Sequence, residues 1–338
     1  MKLYAGIDLH SSNNFLGIID EEGKQLYSRR LKNNLGEVLH ELLPYREFMD
    51  SIVIESTYNW YWLVDGLMKD GYKIHLANPS AMVQYSGLKH TDDKSDTFWL
   101  AEMNRLGIIP TGYIYPREER SVRDMLRRRF LFVKQRTAHI LSLKSMIARE
   151  TGLMMSADRI QKLGSAEIES LFSDQYLRTI ALNNLTAIDV LGNMASAIEK
   201  EVLSHCKLRD EFKHLLTIPG VGKILAMMIM LEVGDIRRFK DAGNYSSYCR
   251  CVKSEKISNN KKKGENNRKN GNKYLSWAYM EAANYVIRYC PEAGAFYQRK
   301  MAKKNKIVAR KALANKLARA SYYIMRDCIE FNKDKLFS

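Results

Sequence analysis

The sequence predicts a mixed α/β sheet domain at the amino end and a mainly helical remainder. Three observations carry this. Three strand-like runs in succession give way to alternating helix and strand signals within residues 1–110. A long helical period without a breaker covers residues 117–150. Beyond it, apolar residues recur at helical spacing over most of the chain.

LYAGID, FLGIID and KQLYSRRL read as three strands, with EEGK as the hairpin-type turn between the second and third. NLGEVLHELLPY reads as a helix ending near Pro44, and SIVIES as a strand. WYWLVDGLMKDG reads as a helix closed by Gly71, and YKIHLAN as a strand stopped by Pro79. A meander followed by helix–strand–helix–strand is the order of a mixed sheet, whose functional residues gather at the carboxyl ends of central strands.

The stretch REERSVRDMLRRRFLFVKQRTAHILSLKSMIARE predicts one long, arginine-dense helix, and residues 155–212 a more acidic coiled-coil or helical-hairpin spacer. HLLTIPGVGKILAMMIMLEV reads as helix, glycine turn over residues 218–222, then helix. Such a turn lets backbone N–H groups approach a phosphate. Its spacing resembles a helix–hairpin–helix motif, with an ordinary helical hairpin as the alternative. Residues 253–273 read as a polar Lys- and Asn-rich loop, 274–290 as an apolar helix, and 296–326 as a last basic helix. The expected domains are 1–112, 113–212 and 213–338.

The chain carries 54 Lys and Arg against 38 Asp and Glu, a formal charge of +16 over 338 residues. That excess points to a polyanionic partner, most simply nucleic acid. The five cysteines form no CxxC and no His/Cys metal spacing, which fits reduced thiols in a cytoplasm. Met1 leads straight into a strand, so no signal peptide is expected. ILAMMIMLEV is too short to span a bilayer, so no membrane partner is expected either.

Four acids supply the chemistry. Asp8 and Glu55 each close an apolar strand-like run, and Asp93 and Asp96 lie three apart, a spacing that puts both on one face of a helix. Asp92 competes with Asp93 but lacks that spacing. A phosphodiester repels an attacking oxygen and needs its leaving oxygen stabilised. Mg²⁺ held by a few carboxylates meets both needs. Each acid alone is an ordinary surface residue; their joint placement points to a metal-dependent nuclease or recombinase.

Here the chain resembles a known family. GIDLHSSNN, VIESTYNWYWLVDGLMKDGY and LANPSAMVQYSGLKHTDDKSDTFWLAEM resemble the Asp-Glu-Asp-Asp, RuvC-like domain of insertion-sequence-110-family transposases and the related pilin-gene invertases. IPGVGKILAMMIMLEVGDIRRF and YSSYCRCVKSEKISNNKKKGENNRKNGNKYLSWAYMEAANY resemble that family's second catalytic domain. The resemblance implies an RNase H-like amino-terminal domain whose metal-binding acids fall on Asp8, Glu55, Asp93 and Asp96. Mg²⁺ is the implied cofactor, with Mn²⁺ able to substitute. It implies a catalytic serine in the polar loop. Counting back from Gly271-Asn272 and Gly264 places it at Ser258, with Ser254 as the nearest rival. The serine would attack DNA covalently, in a site composed with the metal domain across protomers.

The implied partners are double-stranded target and donor DNA, a structured noncoding guide (bridge) RNA, and further copies of the chain, as a dimer that pairs into a tetramer on DNA. The chain departs from the family pattern at Asn259, where Gly is usual. It departs again at Glu55-Ser56-Thr57-Tyr58, which lacks a Gly, and at Arg250-Cys251-Val252-Lys253, which replaces Gly-Leu-x-Pro.

Cationic runs supply the expected nucleic-acid contacts. Arg127, Arg128 and Arg129 lie on the long helix, Lys261, Lys262, Lys263 and Arg268 in the serine loop, and Lys303, Lys304, Arg310 and Lys311 near the carboxyl end. Two rival readings stand beside the recombinase. One is a Mg²⁺-dependent, junction-resolving endonuclease that uses the four acids and water; the other is a non-catalytic nucleic-acid-binding protein.

Overall fold

The computed structural model describes residues 1–82, 93–252, 255–265 and 270–337. Their contacts group into two compact units, Met1–Arg117 and Glu118–Ser338.

The first unit is built on a five-stranded sheet. Strands β1 (Leu3–Leu9), β2 (Asn13–Asp20) and β3 (Gln25–Lys32) form the expected antiparallel meander. Helix α1 (Leu35–Leu42) follows, started by Asn34, whose side chain accepts from the Glu37 N–H. A 3₁₀ turn, Leu43–Phe48, carries Pro44 at its start and leads into β4 (Met49–Glu55). Helix α2 (Tyr61–Lys69) and strand β5 (Ile74–Ala77) complete the sheet in the order β3-β2-β1-β4-β5, with β4 parallel to β1 and β5 parallel to β4. Pro79 does more than end β5: it opens a short helix, α3 (Pro79–Met82). Helix α4 (Asp93–Arg105) closes the unit.

Alternation along the strands gives the sheet two different faces. Leu3, Ala5, Ile7 and Leu9 with Ile52 and Ile54 pack against Leu63, Val64 and Leu67 of α2 and Val38 and Leu42 of α1. On the other face, Val53 and Ala77 pack against Leu100 and Met103 of α4, and Ile19 against Phe98 and Ala101.

The second unit begins within α5 (Arg117–Thr151), a single 35-residue helix as expected. Short helices α6 (Ala157–Ile160) and α7 (Ser165–Leu171) turn the chain into α8 (Gln175–Cys206). The two long helices run antiparallel: Glu119 meets Arg209 beyond the end of α8, Arg129 meets Glu199, and His139 meets Asn184. Ile140, Leu143 and Ile147 fill the seam with Ala181, Leu185 and Ile188.

Helices α9 (Asp210–Leu215), α10 (Lys223–Val233) and α11 (Ala242–Tyr248) follow. Residues 253–273, expected as a loop, instead contain a β-hairpin, β6 (Glu255–Ser258) and β7 (Lys261–Glu265). Helix α12 (Lys273–Tyr289) comes next. The basic stretch expected as one helix over 296–326 is two, α13 (Pro291–Lys303) and α14 (Lys306–Asp327), because Asn305 accepts from the Ile307 and Val308 N–H groups and starts a new helix. A last turn, α15 (Lys333–Phe337), ends the described chain. The core of helices α9 to α14 centres on fully buried Tyr245 and Tyr279, whose hydroxyls satisfy each other at 2.7 Å. Among the described residues, no helix is long and apolar enough to cross a membrane.

Candidate active site

Asp8 and Glu55 close two neighbouring parallel strands. Ile7 of β1 pairs with Ile54 of β4, so each acid follows its strand's paired isoleucine by one residue. Neighbouring strands lie about 4.8 Å apart, and both acids fall on the α4 side of the sheet by alternation from Gly6 and Val53. Asp8 is 6% exposed, and Glu55 is half-buried.

Two missing side chains set the position of α4. Gly6 and Gly17 are cross-strand partners. A Cβ on Gly6 would lie 2.0 Å from the Thr97 carbonyl oxygen, and one on Gly17 would lie 2.7 Å from the Thr97 hydroxyl. The helix therefore rests directly on the strand backbone. Its far end is tied to the beginning of β4, where Asn104 donates to the Ser51 hydroxyl at 3.0 Å and meets His75 Nδ1 at 2.8 Å. With Asn104 at the strand starts and Thr97 over Gly6, the first turns of α4 point toward the strand ends that carry Asp8 and Glu55. Asp96 is half-buried there; Asp93 opens the helix, and its side chain lies outside the described residues, as does Asp92. Among the described residues, no three His, Cys, Asp or Glu side chains form a metal-binding group. The acids placed at this end of the sheet by the backbone offer hard oxygen donors only, which fit a small divalent cation in kind.

A neighbour that sequence reasoning missed is His10, whose Nε2 lies 3.2 Å from Asp8 Oδ2. The chain leaving Asp8 is pinned by amides: Asn33 and Asn59 each donate to the His10 carbonyl at 3.0 Å, Thr57 donates to Asn59, and Asn14 donates to Asn33. The signal was present in the asparagines at the strand ends, but nothing in their spacing says that they converge.

In the second unit, Ser258 is the last residue of β6 and is exposed. It pairs with Lys261 across the turn Asn259-Asn260, whose residues have φ of 50° and 56°. Two successive left-handed residues make the type I′ turn of a tight hairpin, which favours Gly and Asn. This explains Asn259 in place of glycine after the serine. Lys261 and Lys263 are exposed beside it. The Lys262 side chain, Arg268 and the rival Ser254 lie outside the described residues.

A family model for transposases of the DEDD, IS110 type matches residues 5–150, and the model described as Transposase IS116/IS110/IS902 family matches residues 212–298. The chain is 25% identical over 294 residues to the transposase for insertion sequence element IS1111A of Coxiella burnetii, covering 84% of this chain and 78% of that one. It is 23% identical over 276 residues to a probable family 20 transposase of Pseudomonas aeruginosa, covering 78% and 80%. The chain belongs to the IS110 family of transposases. Its work is DNA transposition or recombination, and its substrate is DNA.

In this transposase the chain before and after the serine hairpin is tied together at a neck. Arg250 donates twice to the Gly271 carbonyl, at 3.1 and 2.8 Å, and the Asn272 N–H donates to the Tyr248 carbonyl at 2.7 Å. Gly271 has φ of +82°, and a Cβ there would lie 2.5 Å from the Tyr248 oxygen. Asn272 caps α12 and donates to Glu232 at 2.6 Å. Glu232 in turn receives Arg127 at 2.6 and 2.7 Å. Burial pulls the Arg127 guanidinium down, but the hydrogen bonds and charge of Glu232 outweigh it and hold the group above its ordinary value. Burial pushes the Cys251 thiol up to about 12 at the hairpin's entry, with the nearby charge of Lys311 opposing it.

The arginines expected to meet nucleic acid therefore divide. Arg127 is engaged by Glu232, and Arg129 by Glu199 at 2.8 Å. Arg128 is exposed on a cleft of about 500 Å³ lined also by Lys134, Lys273 and Tyr274. Lys303, Lys304 and Lys311 are exposed, and Arg310 is half-buried.

Proposed function

We propose that the chain is a recombinase that cuts and rejoins DNA through a phosphoserine link formed by Ser258, with Mg²⁺ held by Asp8, Glu55, Asp93 and Asp96. The observation that carries it is the convergence of β1, β4 and the first turns of α4 at one end of one sheet face. The strand order and the helix laid across that face support an RNase H-like, RuvC-like domain.

Mg²⁺ bound there, or Mn²⁺ in its place, would neutralise phosphate charge and stabilise the leaving oxygen. The protein's own residues do the rest. Buried Asp8 is fixed by its strand and by the amides that hold the His10 carbonyl, so its carboxylate is preorganised. Ser258 stands at a hairpin tip, where a phosphate can reach its Oγ. Lys261 and Lys263 offset the phosphate's charge as the Oγ–P bond forms, a P–O bond to the sugar breaks and the serine proton passes to the leaving sugar oxygen. Attack by a sugar hydroxyl on the phosphoserine then rejoins DNA without water.

Arg128, Lys134, Lys273, Lys303, Lys304 and Lys311 contact backbone phosphates, and the Gly222 end of α10 supplies N–H groups to another, as in a helix–hairpin–helix. A formal charge of +16 accommodates a structured guide RNA beside target and donor DNA, and assembly as a dimer and then a tetramer on DNA. RNA recovered with the purified protein, transcribed from beside its own gene, tests the guide.

The serine is tested by a protein–DNA adduct that survives denaturation. Ser258→Ala abolishes the adduct, and Asp8→Asn and Asp93→Asn abolish cleavage. Cleavage by Ser258→Ala at the wild-type rate makes the protein a water-using endonuclease.

A further inference from the structure

We propose that Glu232 and Asn272 are positioning residues that aim the serine hairpin, a role that rests on the assignment of Ser258 as nucleophile.

Glu232 is 2% exposed, in a helix where every other residue from Leu225 to Val233 is apolar and buried. A carboxylate in that setting must be compensated, and its two oxygens take Arg127 and Asn272. A buried ion pair is often no more stabilising than packed apolar residues of the same volume, and its best-attested use is to fix one arrangement among several. What it fixes here is Asn272, the cap of α12, seven residues beyond the end of β7 in the chain.

Asn272 is 8% exposed and uses every polar group it has. Its Oδ1 accepts from the Tyr274 and Leu275 N–H groups, its Nδ2 donates to Glu232, and its backbone N–H donates across the neck to Tyr248. Aspartate or serine would cap α12 equally well. Only an amide caps with its oxygen and also donates to a carboxylate with its nitrogen.

The hairpin needs such a base. Ser258, Asn259, Asn260, Lys261 and Lys263 are all exposed. A two-stranded hairpin is marginally stable by itself, so its direction is set where it leaves the helical core.

The test uses the full-length protein and a plasmid carrying its own gene with flanking DNA. The readouts are denaturation-resistant adduct, binding of a random duplex, and amide exchange over residues 255–265. Asn272→Asp keeps the cap but sets carboxylate against carboxylate. It is expected to cut adduct formation about 100-fold, the cost of a small misplacement of a reacting group. Duplex binding is expected to hold and amide exchange in the hairpin to rise. Adding Glu232→Gln returns a donor to the pair and is expected to restore both adduct and protection. Asn272→Ser, neutral and still a cap, is expected to lose adduct even if Asn272→Asp fails to fold. Wild-type adduct formation by Asn272→Ser, or no recovery in the folded double variant, overturns the proposal. Adduct persisting in Ser258→Ala overturns the serine assignment instead.

Discussion

An alanine at position 6 has no room: its Cβ would stand 2.0 Å from the Thr97 carbonyl oxygen, and a helix backbone cannot swing aside as a side chain does. Gly6→Ala is expected to cost about 3 kcal/mol, at the upper end for overpacking, read as a lower urea midpoint. The surviving folded protein should lose the proposed metal-dependent cleavage, because the first turns of α4 are displaced.

The thiols give a second residue-scale prediction. Cys206, Cys249, Cys251 and Cys290 are buried, and Cys328 is exposed. A thiol reagent at neutral pH should modify Cys328 quickly and the other four only on unfolding. Burial raises Cys206 to about 11 and Cys251 to about 12, above the ordinary thiol value of 9.0. A folded pKa above the unfolded one gives stability that is complete below the unfolded value and is lost as pH rises through the folded one. Thermal stability should therefore fall between about pH 9 and 12. Replacing Cys251 with Ala should flatten that fall.

The strand-end positions of Asp8 and Glu55 were legible in the sequence because an acid that follows an apolar run marks the end of a buried strand. Glu232 was legible only as an anomaly, a lone acid in an apolar helix. Its partners Arg127 and Asn272 are far away in sequence, and only packing joins them.

At the scale of elements, the strands of the first unit follow their apolar alternation, and the 35-residue helix its uninterrupted period. The serine hairpin had no such signal. Its strands are mostly lysine and glutamate with a single isoleucine, so no buried face marks them. The pairing is encoded in the Asn259-Asn260 turn and in the neck. Replacing both asparagines with alanine is expected to cost about 1–2 kcal/mol per left-handed residue. Amide protection of residues 255–265 should fall while the melting temperature of the protein stays put. The break between α13 and α14 was missed for a related reason: neither Gly nor Pro marks it, only the Asn305 cap. Asn305→Ala should lower stability by about 1 kcal/mol, measured by urea unfolding.

The whole molecule's charge of +16 was read from composition, but composition does not say which cations are free to meet DNA. The fold separates them: Arg127 and Arg129 hold carboxylates, whereas Lys303, Lys304 and Lys311 face solvent. Affinity for random duplex should fall linearly in log salt. Each phosphate-contacting lysine replaced by Gln should reduce the slope by about 0.9, measured by fluorescence anisotropy. Arg127→Gln should leave the slope alone and lower the melting temperature instead.

The seat that Gly6 and Gly17 form beneath α4 also sets a timetable for synthesis. The β1–β2–β3 meander is made of adjacent chain and can pair while translation continues, so Asp8 is in place early. Helix α4 is delivered only after the chain has passed Arg105, and it closes on a seat already built. A nascent chain, or one truncated before α4, would thus carry half of the proposed acids, and the proposed cleavage would stay silent until both α4 and the later hairpin bearing Ser258 have been made.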